Sequence, residues 1–230
     1  TAYRHFYGAN NLVFINLITE NGLESDVEFT YMYNTVKEKI ICSKAPIELY
    51  SDDNFDYMII GNEAVINAYK GTDTEIEIPS TVKNIPITKI GDSVFYNSSV
   101  RTEITSVTLP STVTSLGNGC FRNCSNLTEI NIQNVTSLGQ YCFYYCTKLA
   151  SIDLSSITSL GDYCFQNCSN LTEVTLPNTI TSLSNYCFAS CIRLASIDLS
   201  NITSLGNYCF SSCSNLTSID LPLATSLGAR

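Results

Sequence analysis

The sequence is poor in the residues that catalysis and nucleic-acid binding rely on most. Histidine occurs once in 230 residues, as His5, and nothing near it completes a Ser-His-Asp or Cys-His arrangement. No phosphate-cradling glycine loop, dinucleotide fingerprint or His-based metal motif is present. Paired carboxylates do occur, but on strand faces expected to be open rather than in a cleft that could raise a pKa. The expectation is a protein that is not an enzyme and carries no cofactor or metal. Basic residues are also scarce. Residues 1–56 hold four basic and nine acidic side chains, and residues 57–230 hold eight and twelve. Phosphate binding needs clustered Lys and Arg, so nucleic acid is a poor partner. The net charge of −9 points instead to solubility and, weakly, to a partner with a basic patch. No run of 18 apolar residues exists, so nothing in this segment is expected to span a membrane. Charged residues make up only 14%, against the usual ~25%, and Ser, Thr and Asn fill their place. Short hydroxyl and amide groups suit an extracellular surface, and equally the exposed side of a strand-rich repeat. The chain opens on Thr1 without a basic stretch and apolar run, so any signal peptide is expected to have been removed.

What the sequence has is a repeat. The string Cys-Phe-x-x-Cys occurs five times, beginning at Cys120, Cys142, Cys164, Cys187 and Cys209, in steps of 22, 22, 23 and 22 residues. The 23-residue step reads LPNTITSL from Leu176, where neighbouring rungs read IQNVTSL, LSSITSL and LSNITSL, so one residue is inserted after the strand. In residues 127–146 the template is Leu127, Ile130 and Ile132, then Val135 and Leu138, then Gly139, then Cys142, Phe143 and Cys146. The stretch Leu127 to Ile132 ends in the alternation of a half-buried strand. Gly139 suits a turn with unusual φ. Tyr141 to Cys146 is too short for a stable lone helix and reads as a single helical or 3₁₀ turn. One such unit cannot bury its apolar face, whereas stacked units cover one another. Weaker copies precede these: Ile76, Ile78, Val82, Ile87, Ile90, Gly91 and Phe95, then Ile104, Val107, Leu109, Val113, Leu116 and Gly117. The second of these carries extra loop around Ser98 to Thr102. The last rung starts at Leu216 and meets Arg230 before its Cys-Phe-x-x-Cys, so the array is expected to continue.

The units IPSTVKNIPITKIGDSVFYN and NLTEVTLPNTITSLSNYCFASC resemble the BspA-like, Treponema-type leucine-rich repeat, and YMIIGNEAVINAYKGTDTEIEIPS looks like the entry rung of such arrays. The resemblance covers residues 57–230. It implies an α/β-type repeat solenoid, a right-handed leucine-rich-repeat superhelix with a concave parallel β-sheet and short convex turns. One departure is clear: the family usually has Ala before the Phe, where five rungs here have Cys. Family members are typically secreted or anchored at the surface of host-associated bacteria and some parasitic protists, and are implicated in adhesion. The resemblance therefore implies an extracellular binding module whose partner is a host or microbial surface protein or glycan. The alternative is a structural spacer within a larger surface protein. Residues 1–56, with NLVFINLI, DVEFTYMYN and EKIICS as strands, read as a small β-rich segment that caps the first rung, or as a small separate domain.

Solenoids bind on the concave face. The outward strand positions there are Glu129 and Asn131, Ser151 and Asp153, Glu173 and Thr175, Ser196 and Asp198, and Ser218 and Asp220, after Glu75, Glu77, Ser106 and Thr108. They alternate acid with hydroxyl and include no Lys or Arg. A solvated strand face is one account of them. A surface for a basic protein patch or a glycan is the other. Calcium would need six to eight oxygens, and no loop supplies them. The ten cysteines of the array read as two columns of buried thiols. Disulfides between rungs are the rival, but five cysteines per column cannot all pair. A zinc site lacks His partners. Cys42 reads as a buried strand residue. Tyr141, Tyr163, Tyr186 and Tyr208 form a further column, expected to pack with polar tips exposed. The Asn-x-Ser/Thr triplets at Asn126, Asn134, Asn170, Asn201 and Asn215 follow from the repeat's own Ser-Asn-Leu-Thr string.

Overall fold

The computed structural model describes residues 27–33, 36–42 and 47–229, the first two stretches by their backbone. The chain divides into two compact units, Thr1–Glu48 and Leu49–Arg230. In the first, Val27–Tyr33 pairs antiparallel with Val36–Cys42, as the strands expected in DVEFTYMYN and EKIICS. His5, the expected strand NLVFINLI and the side chain of Cys42 lie outside the described residues.

The second unit is a β-solenoid. It opens with a hairpin, Phe55–Ile60 antiparallel to Glu63–Tyr69. The second of these strands then pairs parallel with Ile85–Ile90. From there short strands build two parallel ladders, with rungs up to Thr175 contributing to both and later rungs to the second alone. The first ladder holds Glu75–Glu77, Ser106–Thr108 and Glu129–Ile130, and, separately, Ser151–Asp153 with Glu173–Thr175. The second ladder runs from Ile85–Ile90 through Ser115–Leu116, Ser137–Leu138 and Ser159–Leu160, and resumes as Ser182–Leu183, Ser204–Leu205 and Ser226–Leu227. Only the first ladder was expected as strand. A two-residue strand has no room for period-2 alternation, so the Ser-Leu ladder left no periodic signal. The 23-residue step breaks this second ladder between Leu160 and Ser182. There Ser184 stands in place of the rung's glycine, and its Oγ donates to the Leu160 carbonyl at 2.6 Å.

The α/β reading needs correction, because no helix occurs among the described residues. The backbone turns left-handed just before each cysteine of the pair: Tyr141 and Tyr145, Tyr163 and Asn167, Tyr186 and Ser190, Tyr208 and Ser212, with φ between 54° and 63°. The residues between two such positions are too few for an α-turn. Alternate N–H groups point to the next rung instead. Those of Tyr141, Phe143 and Tyr145 donate to the carbonyls of Asp162, Cys164 and Gln166, each at 2.9 Å. The Cys-Phe-x-x-Cys turn is thus a third hydrogen-bonded ladder. Gly139 is also corrected. It has no positive φ; it is needed because the rungs approach closely. A Cβ on Gly139 would lie 2.5 Å from the Asn118 nitrogen, and one on Gly161 2.3 Å from the Gln140 nitrogen.

The core runs through the stack. Phe95, Phe121, Phe143, Phe165, Phe188 and Phe210 lie ring on ring, with successive centroids 4.7–5.7 Å apart. Leu127, Ile130, Ile132 and Leu138 are buried beside them, as expected. The ten cysteines of the array are free and buried. Cys146, Cys168, Cys191 and Cys213 each donate a thiol hydrogen to the phenylalanine carbonyl of the preceding rung, at 3.0–3.2 Å. Alanine at these positions would leave that thiol contact unmade.

Candidate functional site

Of the ten residues singled out above, the first ladder carries Glu129, Ser151, Asp153, Glu173 and Thr175, with Asn131 just past its strand. Glu129, Asn131, Ser151, Asp153, Glu173, Thr175, Ser196, Asp198, Ser218 and Asp220 are all exposed. Cross-strand register sets Glu129 beside Ser106, Ser151 beside Glu173, and Asp153 beside Thr175. Acids therefore face hydroxyls, and the repulsion of directly opposed like charges is avoided. The pairing does not reach every rung. Ser196, Asp198, Ser218 and Asp220 lie in segments with no strand ladder, so the regular face extends from Glu75 to Thr175.

Several of these side chains also serve the fold locally. The Oδ1 atoms of Asn131, Asp153 and Asp198 accept hydrogen bonds from the backbone N–H groups of Gln133, Ser155 and Ser200, at 3.0, 2.9 and 2.9 Å. Each closes an Asx-turn where the chain leaves the ladder. The Ser200 backbone and hydroxyl hold the Asp198 carboxyl below its ordinary pKa. Glu129, Asp153, Glu173, Asp198 and Asp220 form no ion pair among the described residues, where the one such pair shown is Lys70–Asp56. Nor does any group of three or more His, Cys, Asp or Glu side chains there converge to hold a metal.

The second ladder exposes a different surface, rich in hydroxyls and carrying the charge of Lys89 in its first strand. Thr114, Thr136, Thr158, Thr203 and Thr225 donate through Oγ1 to carbonyls one rung back, at 3.0–3.4 Å. A parallel column of amides and carboxylates caps backbone N–H groups across rungs: Asn118 caps Gln140, Asp162 caps Asn185, Asn185 caps Asn207, and Asn207 caps Ala229, at 2.9–3.0 Å. Much of the Thr and Asn content is thereby accounted for by the stack itself. The tyrosine column packs as expected: Tyr141, Tyr163, Tyr186 and Tyr208 stack with centroids 4.6–4.9 Å apart.

One concavity was not anticipated. A cleft of about 470 Å³ lies on the edge formed by the third ladder, lined by Arg101, Thr102, Arg122, Asn123, Ser125, Tyr144 and Tyr145. None of the ten residues singled out above lines it. The available signal was a pair of departures from the repeat: the extra loop around Ser98 to Thr102, and Gly119 where later rungs have tyrosine.

The BspA type leucine rich repeat region matches this chain over residues 59–159 and 136–228. Among curated proteins none matches. Solved structures do. A leucine rich cell surface protein from Faecalibacterium prausnitzii is 28% identical with a TM-score of 0.58, over 80% of this chain and 56% of its own. A leucine-rich repeat protein from Bacteroides ovatus is 25% identical with a TM-score of 0.59, over 78% and 55%. A leucine rich repeat protein from T. pallidum, 20% identical with a TM-score of 0.60 over 74% and 92%, shares the fold. The chain thus spans little more than half the length of the first two. No helix among the described residues is long and apolar enough to cross a membrane.

Proposed function

We propose, from the premise that this chain belongs to the BspA type leucine-rich repeat family, that it is a non-catalytic binding module of a secreted or surface-anchored protein. In this reading it contacts a protein or glycan partner through the first ladder. One observation carries the proposal. Glu129, Asp153, Glu173, Asp198 and Asp220 stand exposed along successive rungs with no cation paired to them among the described residues. Exposed carboxylates repeated along the stack complement a basic patch on a partner, steer its approach and lose force with salt. The likeness to a cell surface protein supports the location. The adhesin-like role rests on the exposed face.

The test is binding to an immobilised panel of extracellular-matrix proteins and glycans, run beside the triple variant Asp153→Asn, Asp198→Asn, Asp220→Asn. Asparagine keeps the Asx-turns, since Asn131 already closes one, so only charge is removed. Salt-sensitive binding that drops at least tenfold in the variant is the expected result. Absence of binding by both proteins would sink the reading and leave the structural spacer in its place.

A further inference from the structure

The third-ladder edge breaks its periodicity at one place, and the break collects positive charge on an acidic protein. In the later rungs the position before the first cysteine is a tyrosine, whose ring stacks on the next. At Gly119 that ring is missing. A side chain built on Gly119 would meet the Cβ and Cδ of Arg122 at 3.7 and 3.9 Å, so Arg122 lies along the vacant place. Its guanidinium sits 5.5 Å from the Tyr141 ring centroid, 5.1 Å from that of Tyr96 and 5.3 Å from that of Tyr144. The extra loop of the preceding rung brings a second guanidinium to the same cleft: Arg101 lies 5.6 Å from the Tyr96 centroid.

Two features separate this cluster from a structural cation-π stack alone. Neither guanidinium has a carboxylate partner or a hydrogen-bond acceptor among the described residues, and the buried Arg122 Nε is left without any partner. Arg122 is thus ordered by three aromatic rings, its Nε closed to solvent, while the terminal nitrogens of its guanidinium hold no acceptor and can receive an anion. The cleft walls also contain no Asp or Glu. The net charge of −9 opposes an anion only weakly there, because charges beyond about 8 Å are screened at physiological salt.

The walls narrow the class of anion. The side chains of Thr102, Asn123 and Ser125 line the cleft and take part in no hydrogen bond among the described residues, so hydroxyls and an amide are available for a polyhydroxylated ligand. Tyr145 is 46% exposed, and its ring offers an apolar face for the C–H side of a sugar ring. A peptide adding as a strand would need free backbone donors. Those of Phe121, Asn123 and Tyr145 are already committed to Cys142, Tyr144 and Gln166 of the next rung, at 2.8, 2.8 and 2.9 Å. The cleft volume, about 470 Å³, falls in the range of small-ligand sites, roughly 300–1,000 Å³.

We propose that the cleft between Arg101 and Arg122 binds an acidic saccharide, a sugar ring bearing a carboxylate or sulfate that the two guanidinium groups receive. The site is separate from the acidic ladder face, so it can stand or fall independently of the function proposed above. The test is calorimetric titration of the full chain with three tetrasaccharides: one carrying uronic acids, one sulfated, and one neutral and N-acetylated. A glutamate hexapeptide is the fourth probe. The expected result is binding of at least one acidic saccharide, at least tenfold tighter than the neutral one and the peptide. Whichever acidic arm binds identifies the anion. Arg101→Gln, on an exposed loop, and Arg122→Lys, which keeps charge but loses the planar fork, should each weaken binding at least tenfold with an unchanged melting curve. The triple Asp→Asn variant of the ladder face should bind the saccharide as the parent does. Equal affinity for acidic and neutral saccharides, a peptide bound as tightly, or full affinity in Arg101→Gln and Arg122→Lys would each overturn the proposal.

Discussion

The first-ladder face between Glu75 and Thr175 and the third-ladder edge around Arg122 come from the same repeat, yet they differ in what their side chains leave unused. On the ladder face the pattern recurs rung after rung, and part of it serves the chain: Asn131 and Asp153 close turns, and acids are set against hydroxyls by register. On the edge, Arg101, Gly119 and Arg122 have no counterparts in the other rungs, and the two guanidinium groups rest on tyrosine rings with no carboxylate or hydrogen-bond acceptor among the described residues. A position repeated in every rung is under a constraint that every rung shares, and that constraint is stacking. A position that departs from the repeat is released from stacking and can be shaped by a ligand.

Repeated and singular positions should respond differently to perturbation. The largest effect should come from pH, because it acts on all five Cys-Phe-x-x-Cys rungs at once. Burial raises the pKa values of the array's ten cysteines above the ordinary 9.0, to about 12 for Cys124, Cys168 and Cys209 and to about 11 for Cys213 at the C-terminal end. The protonated thiols favour the folded state fully below pH 9. Above that the unfolded chain releases protons that the native one retains. Stability then falls by about 1.4 kcal/mol per pH unit for each thiol, until the native thiols themselves ionise. Urea denaturation under reducing conditions should show a midpoint collapsing between pH 9 and 11. A flat midpoint there would mean that the columns are not buried as described. Alkylation at neutral pH should reach Cys213 first, since it is the most exposed of the ten, at 8%.

A smaller but still large loss is expected from Phe165→Ser. The ring is fully buried and stacks on Phe143 and Phe188, at 5.4 and 5.3 Å, so two rung interfaces lose their contact together. The expected cost is about 4 kcal/mol, read as a melting temperature lower by about 10 °C. Arg101→Gln on the singular edge should leave that temperature within error. An equal fall in both variants would erase the distinction between the two regions. The smallest effect belongs to Asp153→Asn, which keeps the Asx-turn and removes an unpaired exposed charge. Its change in stability should stay within about 0.5 kcal/mol, measured by the same thermal melt.

The repeat made much of this legible in advance. Leu127, Ile130, Ile132, Leu138 and Phe143 recur at fixed spacing, and they are the buried set. The residue inserted after Leu176 was visible, and it coincides with the break in the second ladder. Other features gave no periodic sign. Ser-Leu strands of two residues are too short to alternate. Tyr141 and Tyr145 adopt a left-handed backbone that tyrosine rarely takes, so the turn they bound read as helical. The role of Gly139 is not legible in the sequence, which does not show how near the next rung lies.

By itself the sequence determined that this chain stacks. A rung whose apolar positions recur every 22 or 23 residues can bury them only against its own copies, and that holds whatever the backbone does between them. Only the tertiary structure decided how the rungs are joined and what they expose. The third ladder, the close approach at the glycines and the meeting of Arg101 with Arg122 depend on distances between residues 21 or more positions apart. Those distances are set by the rise and register of the whole stack, which no single rung contains.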